Sequence, residues 1–151
     1  MVGNNQPCFH PHLGVAVFVT SGEQVLFGKP GVEAGEFRYQ LPGGWLKNGE
    51  NFEYAARREV REETGLELVN PQFVAITNNI FFRAKHFIPL CFEAECVDPD
   101  VVGLLESVKC KDWIWKGWSE VSNQLYLPLQ LFKNSDYRPF SVDKQSVHVS
   151  V

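Results

Sequence analysis

Gly44-Trp45-Leu46-Lys47-Asn48-Gly49-Glu50-Asn51-Phe52-Glu53-Tyr54-Ala55-Ala56-Arg57-Arg58-Glu59-Val60-Arg61-Glu62-Glu63-Thr64-Gly65-Leu66 reads as a glycine loop running into a helix that stacks carboxylates on one face. At about 100° per residue, Glu62 lies roughly 60° to one side of Glu59 and Glu63 about 40° to the other. Glu59 and Glu63 are like charges at i and i+4, which costs an isolated helix a few tenths of a kcal/mol. A purely structural helix has no reason to accept that arrangement. A hard divalent cation removes the penalty, because oxygen ligands suit Mg2+. Ala55 and Ala56, about one turn earlier on roughly the same side, leave room for a metal-bound phosphate chain.

The flanks of the helix are equally legible. Asn51 is positioned as its N-cap and Gly65 as its C-terminal cap. Arg58 stands four residues before Glu62, close enough to hold that carboxylate in a fixed orientation. Gly43 and Gly44 permit backbone approaches that a side chain would block. A solvated acidic helix with arginines is the bland alternative for Glu-Val-Arg-Glu-Glu alone; the spacing of Gly44, Glu50, Arg58 and Gly65 around it favours the metal site.

Composition bounds the rest. With 151 residues the chain is expected to form a single domain, 1–151, large enough to bury a core. Apolar content of 44% and charged content of 21% are those of a soluble globular protein. A formal charge of −4 argues against a protein that coats nucleic-acid polymers, and an anionic substrate would need metal or local cationic help. No apolar run is long enough for a membrane span, and the first residues lack a basic-then-apolar signal pattern. Cys8, Cys91, Cys96 and Cys110 are scattered without a C-x-x-C pair, so reduced thiols and a cytoplasmic location are expected.

The expected order of elements is α/β. Leu13 to Val19 and Gln24 to Gly28 flank the turn Ser21-Gly22 as a hairpin. Lys29 to Glu36 is a loop by composition, and Phe37 to Leu41 a short strand ending at Pro42. The helix runs from about Asn51 to Thr64. Gln72 to Phe82 and His86 to Cys96 are strands, with Pro89 marking an edge or a bulge. Asp98 to Val108 reads as a loop, Lys111 to Trp115 as a strand, and Tyr126 to Lys133 as a second helix; the tail from Arg138 has no clear pattern.

The stretch 44–66 resembles the complete G-x5-E-x7-R-E-U-x-E-E-x-G-U box of the Nudix hydrolases, with Val60 and Leu66 at the bulky apolar positions. The chain is further similar to the MutT-like nucleoside triphosphate pyrophosphohydrolase branch, through Leu41-Pro42-Gly43-Gly44, Thr77 to Phe81, His86, the segment Lys109-Cys110-Lys-Asp-Trp113-Ile-Trp115-Lys-Gly-Trp118, and Tyr137-Arg-Pro139-Phe140. The resemblance implies a Nudix-type α/β/α sandwich around a mixed sheet. It also implies a metal-dependent hydrolase that converts a nucleoside triphosphate to monophosphate and pyrophosphate, using Mg2+ with Mn2+ as a substitute.

On that reading Glu59, Glu62, Glu63 and the Gly44 carbonyl hold metal, Glu63 or Glu59 takes the proton from water, and Arg58 supports them. Lys29, Gly43, Lys47, Asn79, His86 and Trp115 are the expected substrate contacts. Three departures from the branch stand out. Lys29-Pro30 replaces a Lys-Arg pair, so Lys29 stands in for a phosphate-binding arginine; Trp45, Lys47 and Asn48 replace a His, a Glu and a Phe; and Val108 replaces an acid, with Glu106 retained.

Several residues carry two readings. Trp113, Trp115 and Trp118 suit base stacking or core packing. His86 suits a base or phosphate contact or a structural role, and one of Asn78 and Asn79 could face a ligand. His10-x-His12 is a weak metal signal. The expected partner is a small-molecule nucleotide, with no nucleic-acid polymer and no membrane, and a homodimer stays open as an assembly. Hydrolysis of ADP-ribose or a nucleotide sugar is the alternative reaction, and a non-catalytic nucleotide-binding module the alternative class.

Overall fold

A computed structural model of the chain describes residues 10–30, 39–81, 85–102, 110–121, 127–135, 137–139 and 147–150. The apolar run at its start forms β1 (His12–Ser21), which turns at Gly22 (φ +57°) into β2 (Gln24–Pro30). β1 organises the sheet. Along one edge it runs parallel to β5 (Lys85–Cys96), from His12 opposite Phe87 to Thr20 opposite Glu95. Its other edge is divided. Thr20 and Ser21 pair with β2, whereas Gly14, Val15 and Ala16 pair with Trp45, Gly44 and Gly43 of the short β3 (Gly43–Trp45). β4 (Leu68–Phe81), β6 (Cys110–Gly117) and β7 (Val147–Ser150) complete a mixed seven-stranded sheet in the order β6-β2-β1-β5-β4-β7, with β3 off that path.

Strands in the middle of such a sheet are covered on both faces, which is why β1 reads as a continuous apolar run. Val15, Val17 and Val19 face Ala55, Ala56 and Val60 of α1 (Phe52–Thr64). Phe18 faces the opposite way, against Leu129 and Phe132 of α2 (Leu127–Asn134) and against Tyr137. Helices on the two faces make the expected α/β/α sandwich.

α1 follows its sequence signals closely. The Asn51 side chain accepts hydrogen bonds from the backbone N–H groups of Glu53 (2.9 Å) and Tyr54 (3.4 Å). Gly65 closes the helix in the left-handed region (φ +78°), its N–H donating to the Arg61 carbonyl.

Three expectations change. β5 is an interior strand, with Pro89 beside Gly14 of β1, so the proline marks no edge; the irregularities of the β4–β5 pairing fall at Val69/Gln72 and Phe73/Ala75 instead. A strand residue aims its N–H at only one neighbour, so a proline forfeits one ladder bond and leaves the other side intact. The strand expected over Phe37 to Leu41 is reduced to a bridge between Gln40 and Gly28, with 37 and 38 outside the described residues, and the regular strand falls in the glycine loop at β3. In the tail, Val147 to Ser150 pair parallel with β4. Glu106 and Val108 lie outside the described residues. Among those described, no helix is long and apolar enough to cross a membrane.

Candidate active site

Arg58 is the hub of the site. Its guanidinium donates twice to Glu50, from Nε to Oε1 (2.5 Å) and from Nη2 to Oε2 (2.9 Å). Nη1 donates to Glu59 (2.8 Å) and Glu62 (3.3 Å), and Nη2 also reaches the Trp45 carbonyl (3.1 Å). The fork geometry of a guanidinium suits this use, since a lysine would present a single point charge. The Arg58 hydrogen bonds hold the Glu50 carboxyl at about 2, with a further contribution from the Lys47 backbone N–H, and they push the Arg58 pKa up. Glu50 was legible in the spacing of the motif, yet its partner was not. The sequence assigned Arg58 to Glu62, and that pair is present at 3.3 Å with 55% of the Glu62 side chain exposed, but Glu50 and Glu59 are the closer and more buried partners.

Glu59 and Glu63 are the buried pair of the acidic stripe, 7% and 8% exposed. They face the two glycines of β3. The Gly43 N–H points to Glu63 Oε2 at 3.5 Å, and a Cβ built on Gly44 would sit 2.5 Å from the Glu59 carboxylate carbon. A Cβ on Gly43 would meet the Val15 carbonyl at 2.2 Å. A side chain at Gly44 would displace the carboxylate, and one at Gly43 would collide with the backbone of the neighbouring strand.

The same glycines border a cavity of about 620 Å3 whose described lining includes His12, Ala16, Trp45, His86, Phe87 and Leu129. A volume of this order accommodates a small-molecule ligand, and mainly apolar walls with a few polar groups are usual in such pockets. Lys47 lines a second cavity, of about 430 Å3, which also borders His12 and Trp45.

Other sequence-predicted residues take varied positions. His86 lines the main cavity and donates from Nε2 to Asn78 Oδ1. Asn79 is buried and donates to Thr77 Oγ1 (2.9 Å), while its Oδ1 finds no hydrogen-bond partner among the described residues. Trp115 donates its indole N–H to the Pro99 carbonyl (3.3 Å) and packs on the α1 side of the core, and Trp118 lies parallel to Phe27 on the α2 side. Neither Asn79 nor Trp115 is among the described residues that line the main cavity. The Lys29 side chain lies outside the described residues. His12 stacks edge-on against Trp45 with ring centroids 4.9 Å apart. Burial pushes the Cys91 thiol up to about 12, as befits a core thiol.

Residues 10–135 match the family model of the NUDIX domain. The chain belongs to the Nudix family. Among similar proteins, the NAD-capped RNA hydrolase NudC of Pseudomonas aeruginosa is 32% identical over 102 residues, covering 64% of this chain and 34% of its own length. The RNA pyrophosphohydrolase of Caulobacter vibrioides is 38% identical over 65 residues, covering 43% of this chain and 37% of its own. The chain thus spans about a third of the length of these relatives. In fold it is similar to the MutT Nudix hydrolase from Burkholderia pseudomallei (TM-score 0.66, 19% identity, 80% of this chain and 94% of that one). The MutT protein from Bacillus halodurans is likewise similar (TM-score 0.63, 24% identity, 83% and 84% covered).

Nudix hydrolases generally work with a divalent metal ion. Among the described residues no three His, Cys, Asp or Glu side chains converge closely enough to enclose one. The donor chemistry nevertheless fits a hard cation. The face of α1 and the loop before it carry Glu50, Glu59 and Glu62 around a single guanidinium, with Glu63 beside them against Gly43, and the two buried carboxylates abut glycines that leave no side chain between them and a ligand.

Proposed function

We propose that this Nudix hydrolase cleaves nucleoside triphosphates to the monophosphate and pyrophosphate, in the cytoplasm, with Mg2+ or Mn2+ held by Glu59, Glu63 and the Gly44 carbonyl and with Glu62 at the solvent side. The observation that carries the reading is the placement of two buried carboxylates directly against Gly43 and Gly44, which also wall the large cavity. A bound divalent ion there supplies neutralising charge for the diphosphate and makes a water more acidic.

The protein's own groups do the rest. Arg58 fixes Glu59 by a 2.8 Å hydrogen bond and is itself fixed by Glu50, so the carboxylate keeps its orientation through turnover. Glu63 or Glu59 takes the proton from the attacking water. Lys47 and Lys29 supply positive charge to the phosphate chain. His86 and the cavity walls hold the nucleoside, and the buried Asn79 and half-buried Trp115 support the sheet from outside the described cavity lining.

A second reading is favoured by the relative from Pseudomonas aeruginosa, an NAD-capped RNA hydrolase: cleavage of the diphosphate bridge of NAD, ADP-ribose or a nucleotide sugar. Product analysis over nucleoside triphosphates, NAD, ADP-ribose and nucleotide sugars separates the two. Pyrophosphate plus monophosphate from triphosphates is the expected result. Exclusive cleavage of NAD, ADP-ribose or nucleotide sugars establishes the second reading, and binding without turnover over the whole panel overturns both in favour of a nucleotide sensor.

A further inference from the structure

Trp45 connects the cavity to the carboxylates. It follows Gly44, whose Cα abuts Glu59, and its own carbonyl accepts a hydrogen bond from Arg58. The residue is 54% exposed, borders both the 620 Å3 cavity and the 430 Å3 one, and its indole meets the rings of Phe87 (centroids 5.1 Å, interplanar 73°) and His12 (4.9 Å, 64°) edge-on. Three strands bring these rings together. Trp45 of β3 is registered opposite Gly14 of β1, and a Cβ on Gly14 would collide with the Phe87 ring at 2.4 Å. Glycine at position 14 therefore lets the Phe87 ring of β5 lie over β1 and buttress the tryptophan.

Single exposed aromatics are ordinary on protein surfaces. This one differs because edge-on neighbours fix its ring while much of its surface stays open at the rim of a cavity. A flat, rigid ring held this way is a stacking platform for another flat ring. Its backbone is tied to the guanidinium that positions Glu59, so a ring seated on Trp45 is held at a set distance from the carboxylates.

We propose that Trp45 is a specificity-determining residue, stacking the nucleobase of the substrate and so selecting nucleotides over base-free phosphates; the proposal rests on the nucleotide-hydrolase reading above. Base–aromatic stacking is worth roughly 5- to 150-fold in affinity, the equivalent of about 1–3 kcal/mol. The margin belongs to the base alone, so it disappears when ribose 5-phosphate replaces AMP.

The test is titration calorimetry in excess EDTA with AMP, GMP and ribose 5-phosphate, on wild type, Trp45→Leu and Trp45→Phe. Leucine retains apolar bulk against His12 and Phe87 without a planar face; phenylalanine retains the face. Wild type is expected to bind the nucleotides more tightly than ribose 5-phosphate. Trp45→Leu should lose about 5- to 150-fold on AMP and GMP with ribose 5-phosphate unchanged, and Trp45→Phe should keep most of the margin. The proposal is overturned if wild type shows no preference for nucleotides, if Trp45→Leu retains it, or if Trp45→Leu weakens all three ligands equally. Turnover of triphosphates in Mg2+, measured on the same preparations, keeps the two readings apart. No turnover with the base margin intact refutes the hydrolase reading alone, and normal turnover with the margin unaffected by Trp45→Leu refutes the stacking role alone.

Discussion

Replacing Gly44 with alanine inserts one methyl group between β3 and the Glu59 carboxylate. The new Cβ would lie 2.5 Å from the Glu59 Cδ and Oε2 and 2.6 Å from Oε1, whereas ordinary contact begins near 3.4 Å. The carboxylate must therefore retreat by about 1 Å, against an Arg58 hydrogen bond that holds it from the other side. A misplacement of about 1 Å in a reacting constellation costs on the order of 100-fold in rate, equivalent to about 2.7 kcal/mol of barrier. The colliding atoms belong to a side chain rather than to backbone, and Gly44 has no positive φ, so the fold should survive. The expected outcome is a roughly 100-fold lower kcat with a melting temperature close to wild type, read by steady-state hydrolysis and thermal unfolding. Gly43→Ala is the control, because its Cβ meets the Val15 carbonyl and Ala16 Cα; it should lower the melting temperature by prising β3 from β1. Wild-type turnover by Gly44→Ala would show that the position of Glu59 does not matter to the reaction.

Excess chelator should abolish hydrolysis and Mg2+ or Mn2+ restore it, and Glu63→Gln should lower kcat by about 10²- to 10⁴-fold without unfolding; turnover in chelator refutes the metal assignment. Arg58 depresses the Glu50 carboxyl from 4.5 to about 2, so its stabilisation is complete above about 4.5 and disappears as pH falls toward 2. The gap in melting temperature between wild type and Glu50→Gln should narrow over that window, and a gap independent of pH would contradict the pairing. Tyr137 donates to the buried Glu93 carboxylate and burial raises its own pKa; Tyr137→Phe should cost about 1–3 kcal/mol, read as a fall of a few degrees in melting temperature. Lys47→Glu, on an exposed loop, should shift metal or substrate preference while leaving stability unchanged; identical kinetic profiles would reduce Lys47 to a surface residue.

The sequence by itself determined α1 nearly to the residue. Capping by Asn51 and Gly65 and the 3.6-residue period are interactions within a few positions of one another, so they are written locally. The same locality placed Glu59 and Glu63 on one face, and the apolar, β-branched run from Leu13 to Val19 marked a strand. Tertiary structure decided what those residues meet. Glycines disfavour strands, so only pairing with β1 makes Gly43 to Trp45 a strand, and that pairing puts a side-chain-free backbone against Glu59. Arg58 had Glu50, Glu59 and Glu62 all within reach of its long side chain, and the path of the loop selected the bidentate grip on Glu50. Pro89 resembled an edge residue until β1 and β4 took their places on either side of it. The cavity is the clearest case. Its walls come from positions near 12, 45, 87 and 129, brought together by the register of β1 with β3 and β5 and by the docking of α2; such long-range pairings leave no periodic trace in a single sequence.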